Sequence, residues 1–122
     1  MKTNKIAAVM TLIVVATGAA SLAQAHAKIE SSEPTPDSAM QLAPKAIRLH
    51  FNEAIEPAFS KIELFDAQQL ALVLPKVAVD KEDPKTMSTT VPTLTSGKYS
   101  VRWSTMTHDG HKAKGQYSFT VK

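Results

Sequence analysis

The chain is 122 residues long with 14 Lys and Arg against 11 Asp and Glu, a formal net charge of +3, and no cysteine. That length allows one domain with one modest core, and scattered lysines without a basic block exclude the footprint of a nucleic-acid binder. Without cysteine there is no disulfide and no thiolate chemistry, so a metal site must use imidazole, carboxylate, amine or thioether ligands.

The N-terminal stretch reads as a targeting segment. Lys2 and Lys5 precede an apolar run from Ile6 to Ala20, which ends in Ser21-Leu22-Ala23-Gln24-Ala25. A basic start, an apolar centre and small residues at the Ala-x-Ala positions are what a signal peptidase reads. Thr11, Thr17, Gly18 and Ser21 dilute the run below what a spanning helix needs. The expectation is a cleaved signal peptide, residues 1–25, and a mature domain, residues 26–122, beginning at His26. Lys2 and Lys5 leave with the leader, so twelve basic side chains then face eleven acidic ones.

In the mature part no long 3.6-residue periodicity occurs; short alternation is punctuated by Pro, Gly and Asp, which argues for strands. Ala27 to Ser31 is a weak candidate. Ala46 to Phe51 places Ile47, Leu49 and Phe51 on one face, and Lys61 to Leu64 repeats the pattern. Leu70 to Val79 contains Pro75 and predicts two short strands or mostly loop, and Thr86 to Val91 is a further candidate. Lys98 to Ser104 alternates most cleanly, with Tyr99, Val101 and Trp103 inward, and Gln116 to Val121 matches it with Tyr117, Phe119 and Val121. About seven strands at short spacing predict an all-β, immunoglobulin-like Greek-key sandwich, with Trp103 in its core.

Four histidines follow the cleavage site, at positions 26, 50, 108 and 111. A terminal His26 would offer both an α-amine and a ring nitrogen to one metal ion, although some residue must follow any cleavage site and a histidine there can be chance. Between the two best strands lies Thr107-His108-Asp109-Gly110-His111. In extended backbone Asp109 and His111 project to the same side, whereas Asp-Gly alone is also ordinary hairpin chemistry. Amine and imidazole from His26, carboxylate from Asp109 and imidazole from His111 form a nitrogen-rich set suited to tetragonal Cu(II). His108 is read as the reserve ligand, His50 as a strand-surface residue, and Glu53 first as a solvated loop carboxylate and second as a group that could hydrogen-bond a ligand imidazole.

These pieces assemble into a resemblance. His26 at the cleavage site, Ser32-Glu33-Pro34 followed by Pro36, Leu49-His50-Phe51-Asn52-Glu53, Gly97-Lys98-Tyr99 with Trp103, and Asp109-Gly110-His111-Lys112 leading to Gly115-x-Tyr117-x-Phe119-x-Val121 make the chain similar to the CopC family of periplasmic copper resistance proteins. The resemblance implies a non-enzymatic, monomeric periplasmic protein that holds Cu(II) through His26, Asp109 and His111. It also implies an inner-membrane copper transport protein as partner. Some members carry a second, Cu(I) site in a methionine-rich loop; here Phe65 to Leu74 has no methionine, and Met40, Met87 and Met106 are far apart, so the expectation is the Cu(II) site only. Two other readings stand beside this one. A terminal histidine with a second histidine is also the arrangement of copper oxidoreductases that attack polysaccharides, though seven aromatic residues are few for a polysaccharide surface. The other is a metal-free adhesion or chaperone-like sandwich.

Overall fold

The computed structural model describes residues 27–122; His26 and the leader lie outside the described residues. The described residues form nine strands: β1 (Ile29–Glu33), β2 (Ala39–Met40), β3 (Ala46–Phe51), β4 (Lys61–Phe65), β5 (Ala71–Leu72), β6 (Ala78–Val79), β7 (Thr86–Thr90), β8 (Gly97–Met106) and β9 (Lys112–Val121). They make two sheets, one of four strands in the order β1-β3-β7-β6 and one of five in the order β2-β9-β8-β4-β5. The sandwich class is as expected. The strand count exceeds seven because two-residue edge pieces, too short to carry a pattern, complete both sheets.

The segment around Pro75 shows why alternation failed there. β5 pairs with β4 in one sheet, whereas β6 pairs with β7 in the other. Pro75, without an N–H to donate, lies where the chain leaves one layer for the other. β2 joins the opposite edge, running parallel to the end of β9.

The core lies between the layers. β3 contributes Ile47, Leu49 and Phe51, all fully buried, facing Ile62 and Leu64 of β4, Val101 of β8 and Phe119 of β9. Tyr99 stacks on Phe119 with centroids 5.6 Å apart, and its hydroxyl donates to the Thr95 carbonyl at 2.7 Å. Trp103 is half-buried at the margin of this core, edge-on to Phe51 at 5.1 Å. Its cross-strand partner is Gly115. A Cβ there would sit 2.5 Å from the indole, so the absent side chain is the space the ring occupies.

The ten-residue ribbon of β8 and β9 runs in unbroken register from Gly97↔Val121 to Met106↔Lys112. The 107–111 loop closes it at the Met106↔Lys112 end. At the same end β1 begins and β3 finishes, with Ile29 opposite Phe51.

Candidate metal centre

The loop is built around one buried hydroxyl. Thr107, 3% exposed, closes the hairpin by its backbone: its N–H donates to the His111 carbonyl at 2.9 Å, and its carbonyl accepts from Gly110 N–H at 2.9 Å. Gly110 takes φ +86°, a left-handed conformation that a side chain disfavours. The Thr107 hydroxyl donates to Asp109 Oδ1 and accepts from the His111 N–H at 3.2 Å. One side chain thus orients both residues singled out in the sequence.

Asp109 and His111 meet, with His111 Nδ1 3.2 Å from Asp109 Oδ2. The expectation that they share a side holds, but its reason is corrected: a tight turn through Gly110, not extended backbone, brings them together. The Thr107 hydroxyl above all holds the Asp109 carboxyl below its ordinary value, against the opposing effect of burial and with help from the adjacent imidazole. Asp109 is therefore an anion throughout the range in which imidazoles titrate.

The segment after β3 is stitched to this loop. Ile55, fully buried, bridges to Thr107, and Glu56 N–H donates to the Met106 carbonyl at 2.8 Å. Ser60 Oγ accepts from Met106 N–H at 3.2 Å while donating to the Glu56 carbonyl at 2.7 Å. The start of the described chain is tied here too. Lys28 N–H donates to Asn52 Oδ1 at 2.8 Å, and Asn52 N–H returns to the Lys28 carbonyl at 3.0 Å. Ala27 is buried in the core. Residues 27–28, the 52–56 segment and the 107–111 loop therefore gather at one end of the sandwich.

Glu53 sits in that segment, and the solvated loop carboxylate is not what forms. Its Oε2 is buried and, among the described residues, has no hydrogen-bond partner. A buried carboxylate oxygen without a donor is costly, and Glu53 directly follows Asn52, the partner of Lys28. Sequence reasoning could not see this burial, which depends on packing between distant segments.

Of the other described histidines, His108 shares this loop and His50 lies on β3. His108 is exposed, its Nε2 3.9 Å from Glu56 Oε2. His50 is not simple strand surface: half-buried on β3, it lies opposite Thr86 of β7. Thr86 Oγ1 donates to Asp83 Oδ2 at 2.6 Å, so the 2.7 Å contact between Thr86 Oγ1 and His50 Nδ1 requires a proton on Nδ1. The Nε2 edge faces Glu30 Oε2 at 3.4 Å. His50 thereby ties β1 to β3 and β7. The methionines are dispersed: Met87 is fully buried in the core, Met40 packs against it from β2, and Met106 ends β8. Among the described residues no three His, Asp or Glu side chains converge as a metal-holding group; Asp109 and His111 supply two.

The CopC domain model matches residues 29–122, every strand of the sandwich. The chain belongs to the CopC family. Copper resistance protein C of Pseudomonas syringae pv. tomato is 37% identical over 107 residues, covering 83% of this chain and 84% of that protein. Among solved structures, CopC from Methylosinus trichosporium OB3b superposes with a TM-score of 0.76 at 28% identity, over 80% of this chain and 94% of that one. PcoC, a methionine-rich copper resistance protein from Escherichia coli, gives 0.72 at 35% identity, over 80% of this chain and all of the other. The CopC members are β-sandwiches like this one, and the dispersed methionines here differ from the description of PcoC.

Proposed function

We propose that this protein is an exported Cu(II)-binding carrier, cleaved after Ala25, in which His26, Asp109 and His111 hold the ion. The observation that carries the reading is the preorganised Asp109–His111 pair at the end of the sandwich where Lys28, two residues after His26, is fixed to Asn52. Copper handling is further supported by membership of the CopC family and by the copper resistance protein among its relatives.

Each ligand has a distinct part. The terminal amine and imidazole of His26 chelate from one residue, Asp109 brings a negative charge that offsets part of the ion's charge, and His111 completes a nitrogen-rich set suited to Cu(II) rather than Cu(I). The Glu53 Oε2 atom supplies the hydrogen-bond acceptor that a ligand amine or imidazole N–H needs, orienting it as carboxylates orient metal-bound histidines. Core sulfurs such as Met87 are not available as soft ligands. The protein works as a periplasmic monomer that binds copper and passes it to an inner-membrane copper transport protein, without catalysing a reaction.

The test uses the exported protein in one sample. Mass determination reads the N-terminus, and titration should show one tight Cu(II) equivalent. Inserting one glycine before His26 turns its amine into a non-basic amide, so affinity should fall by orders of magnitude while the fold stays intact. Equal affinity in the glycine variant refutes the terminal chelate, and sustained ascorbate oxidation with an oligosaccharide would refute the carrier reading in favour of an oxidoreductase.

A further inference from the structure

The outer face of the five-stranded sheet has a charge pattern that copper binding does not use. Cross-strand partners project to the same side of a sheet, so the register fixes which residues share it. Lys61, Ser104 and Lys114 form one row, Glu63, Arg102 and Gln116 the next, and Phe65, Ser100 and Ser118 a third; Lys112 opposite Met106 and Lys98 opposite Thr120 close the two ends. Lys61, Lys98, Arg102, Lys112 and Lys114 are all exposed. Of the twelve basic and eleven acidic residues between 27 and 122, this face holds five and one. The rest of the domain is consequently acidic. The single acid is already engaged, Glu63 lying 3.2 Å from Lys61 Nζ.

We propose that this face docks on an anionic phospholipid surface. At roughly 3.3 Å per residue, Lys98 to Lys112 spans a stripe on the order of 26 Å, interrupted by Ser, Thr and Gln, by Phe65 and Met106 and by the engaged Glu63. The array is hollowed by an open recess that Lys61, Glu63, Arg102, Lys114 and Gln116 line, which suits phosphate headgroups that can settle among its cations. Its composition argues against a protein partner, because lysine and serine are depleted where protein interfaces are buried. Four of the five cations are lysines, flexible point charges that suit diffuse, laterally mobile headgroups. At the rim, Phe59 is 65% exposed and shares a shallow recess with Lys112 and Lys114. An exposed aromatic beside lysines is the pairing that seats a peripheral protein at the headgroup boundary. Docking on this face would hold the 107–111 loop, next to Lys112, at the edge of the contact. The claim stands on charge distribution and does not rest on the metal reading.

The experiment is co-sedimentation of the exported, metal-free protein, its mass verified, with vesicles of phosphatidylglycerol and phosphatidylethanolamine or of phosphatidylcholine alone. Binding is expected only to the anionic vesicles, strong at 20 mM salt and largely lost at 500 mM, as screening requires. The triple substitution Lys61→Gln, Lys98→Gln, Lys114→Gln should weaken it at least about tenfold. Lys45→Gln, Lys81→Gln, Lys85→Gln removes the same charge elsewhere and should weaken it far less. Circular dichroism verifies that both variants fold. The proposal is overturned if the native protein ignores anionic vesicles, if both triple variants lose binding equally, or if soluble polyglutamate binds this face while vesicles do not, which would indicate an acidic protein partner instead.

Discussion

Gly115→Ala tests the packing that closes the core beneath the candidate site. A Cβ at this position would meet Trp103 Cζ2 at 2.5 Å, Cε2 at 2.8 Å and Nε1 at 3.0 Å, whereas carbon atoms pack at about 3.5–4.0 Å. The indole must therefore retreat by on the order of 1 Å. It cannot retreat inward, because the fully buried Phe51 ring stands edge-on to it at 5.1 Å. Moving outward forfeits an aromatic contact of about 0.5–1.5 kcal/mol, and overpacking of this kind costs about 1–3 kcal/mol. Replacing glycine returns about 0.4–1 kcal/mol through the unfolded chain. The net expectation is a loss of about 1–3 kcal/mol, a fall in Tm of roughly 5–20 °C for a domain near 100 residues. Urea unfolding followed by fluorescence suits the measurement, since Trp103 is the only tryptophan and reports its own displacement. A red-shifted native emission should accompany the lower midpoint, and Trp103→Phe should relieve much of the cost in the double variant. An unchanged midpoint with unchanged emission refutes the reasoning.

Thr107→Val keeps the shape but removes the hydroxyl shared by Asp109 and His111; NMR titration should show the Asp109 pKa rising toward its ordinary value and copper titration an affinity about tenfold lower, with Thr107→Ser close to native. Copper affinity should fall steeply from about pH 7 to pH 5 as imidazoles and amine take up protons. His111→Ala should flatten that slope by about one proton, while Asp109→Asn weakens binding and leaves the slope, because Asp109 is already ionised across the window. Under reducing conditions an anaerobic titration should find no tight Cu(I) equivalent, since Met40, Met87 and Met106 do not cluster. Burial pushes the Tyr117 phenol up from 10 to about 12; the unfolded chain then loses this proton first, so stability is full below pH 10 and declines toward pH 12, by about 1–2 kcal/mol for a ring only partly buried. Tyr117→Phe should abolish that decline in urea midpoints measured at pH 9 and 11.5.

Strands with an apolar residue at every second position were legible: Ile47, Leu49 and Phe51 face the core as alternation requires, and so do Tyr99 and Val101. β9 was legible only from Gln116, although it begins at Lys112. In its first half Gly115 stands where an apolar side chain belongs, because the filling atoms come from Trp103 on the neighbouring strand, and a linear pattern cannot show a position filled by its partner. The same limit governs His50. Outward projection from β3 implied solvent, but the register that sets it opposite Thr86, with Asp83 just before β7, encloses the ring in polar contacts. For the site, the spacing of Asp109 and His111 identified a pair that does meet, while Thr107, which orients both, carried only the weaker cue of a hydroxyl residue two positions before an aspartate. Glu53 marks the boundary of what local reading can reach. Its Oε2 atom is buried in a segment that the Lys28–Asn52 and Ile55–Thr107 contacts tie to distant parts of the chain. A buried carboxylate oxygen with no donor among the described residues calls for a cationic or N–H group to complete it. That requirement makes Glu53→Gln informative in both forms of the protein: the neutral amide should relieve the metal-free fold, raising its Tm, and weaken copper binding.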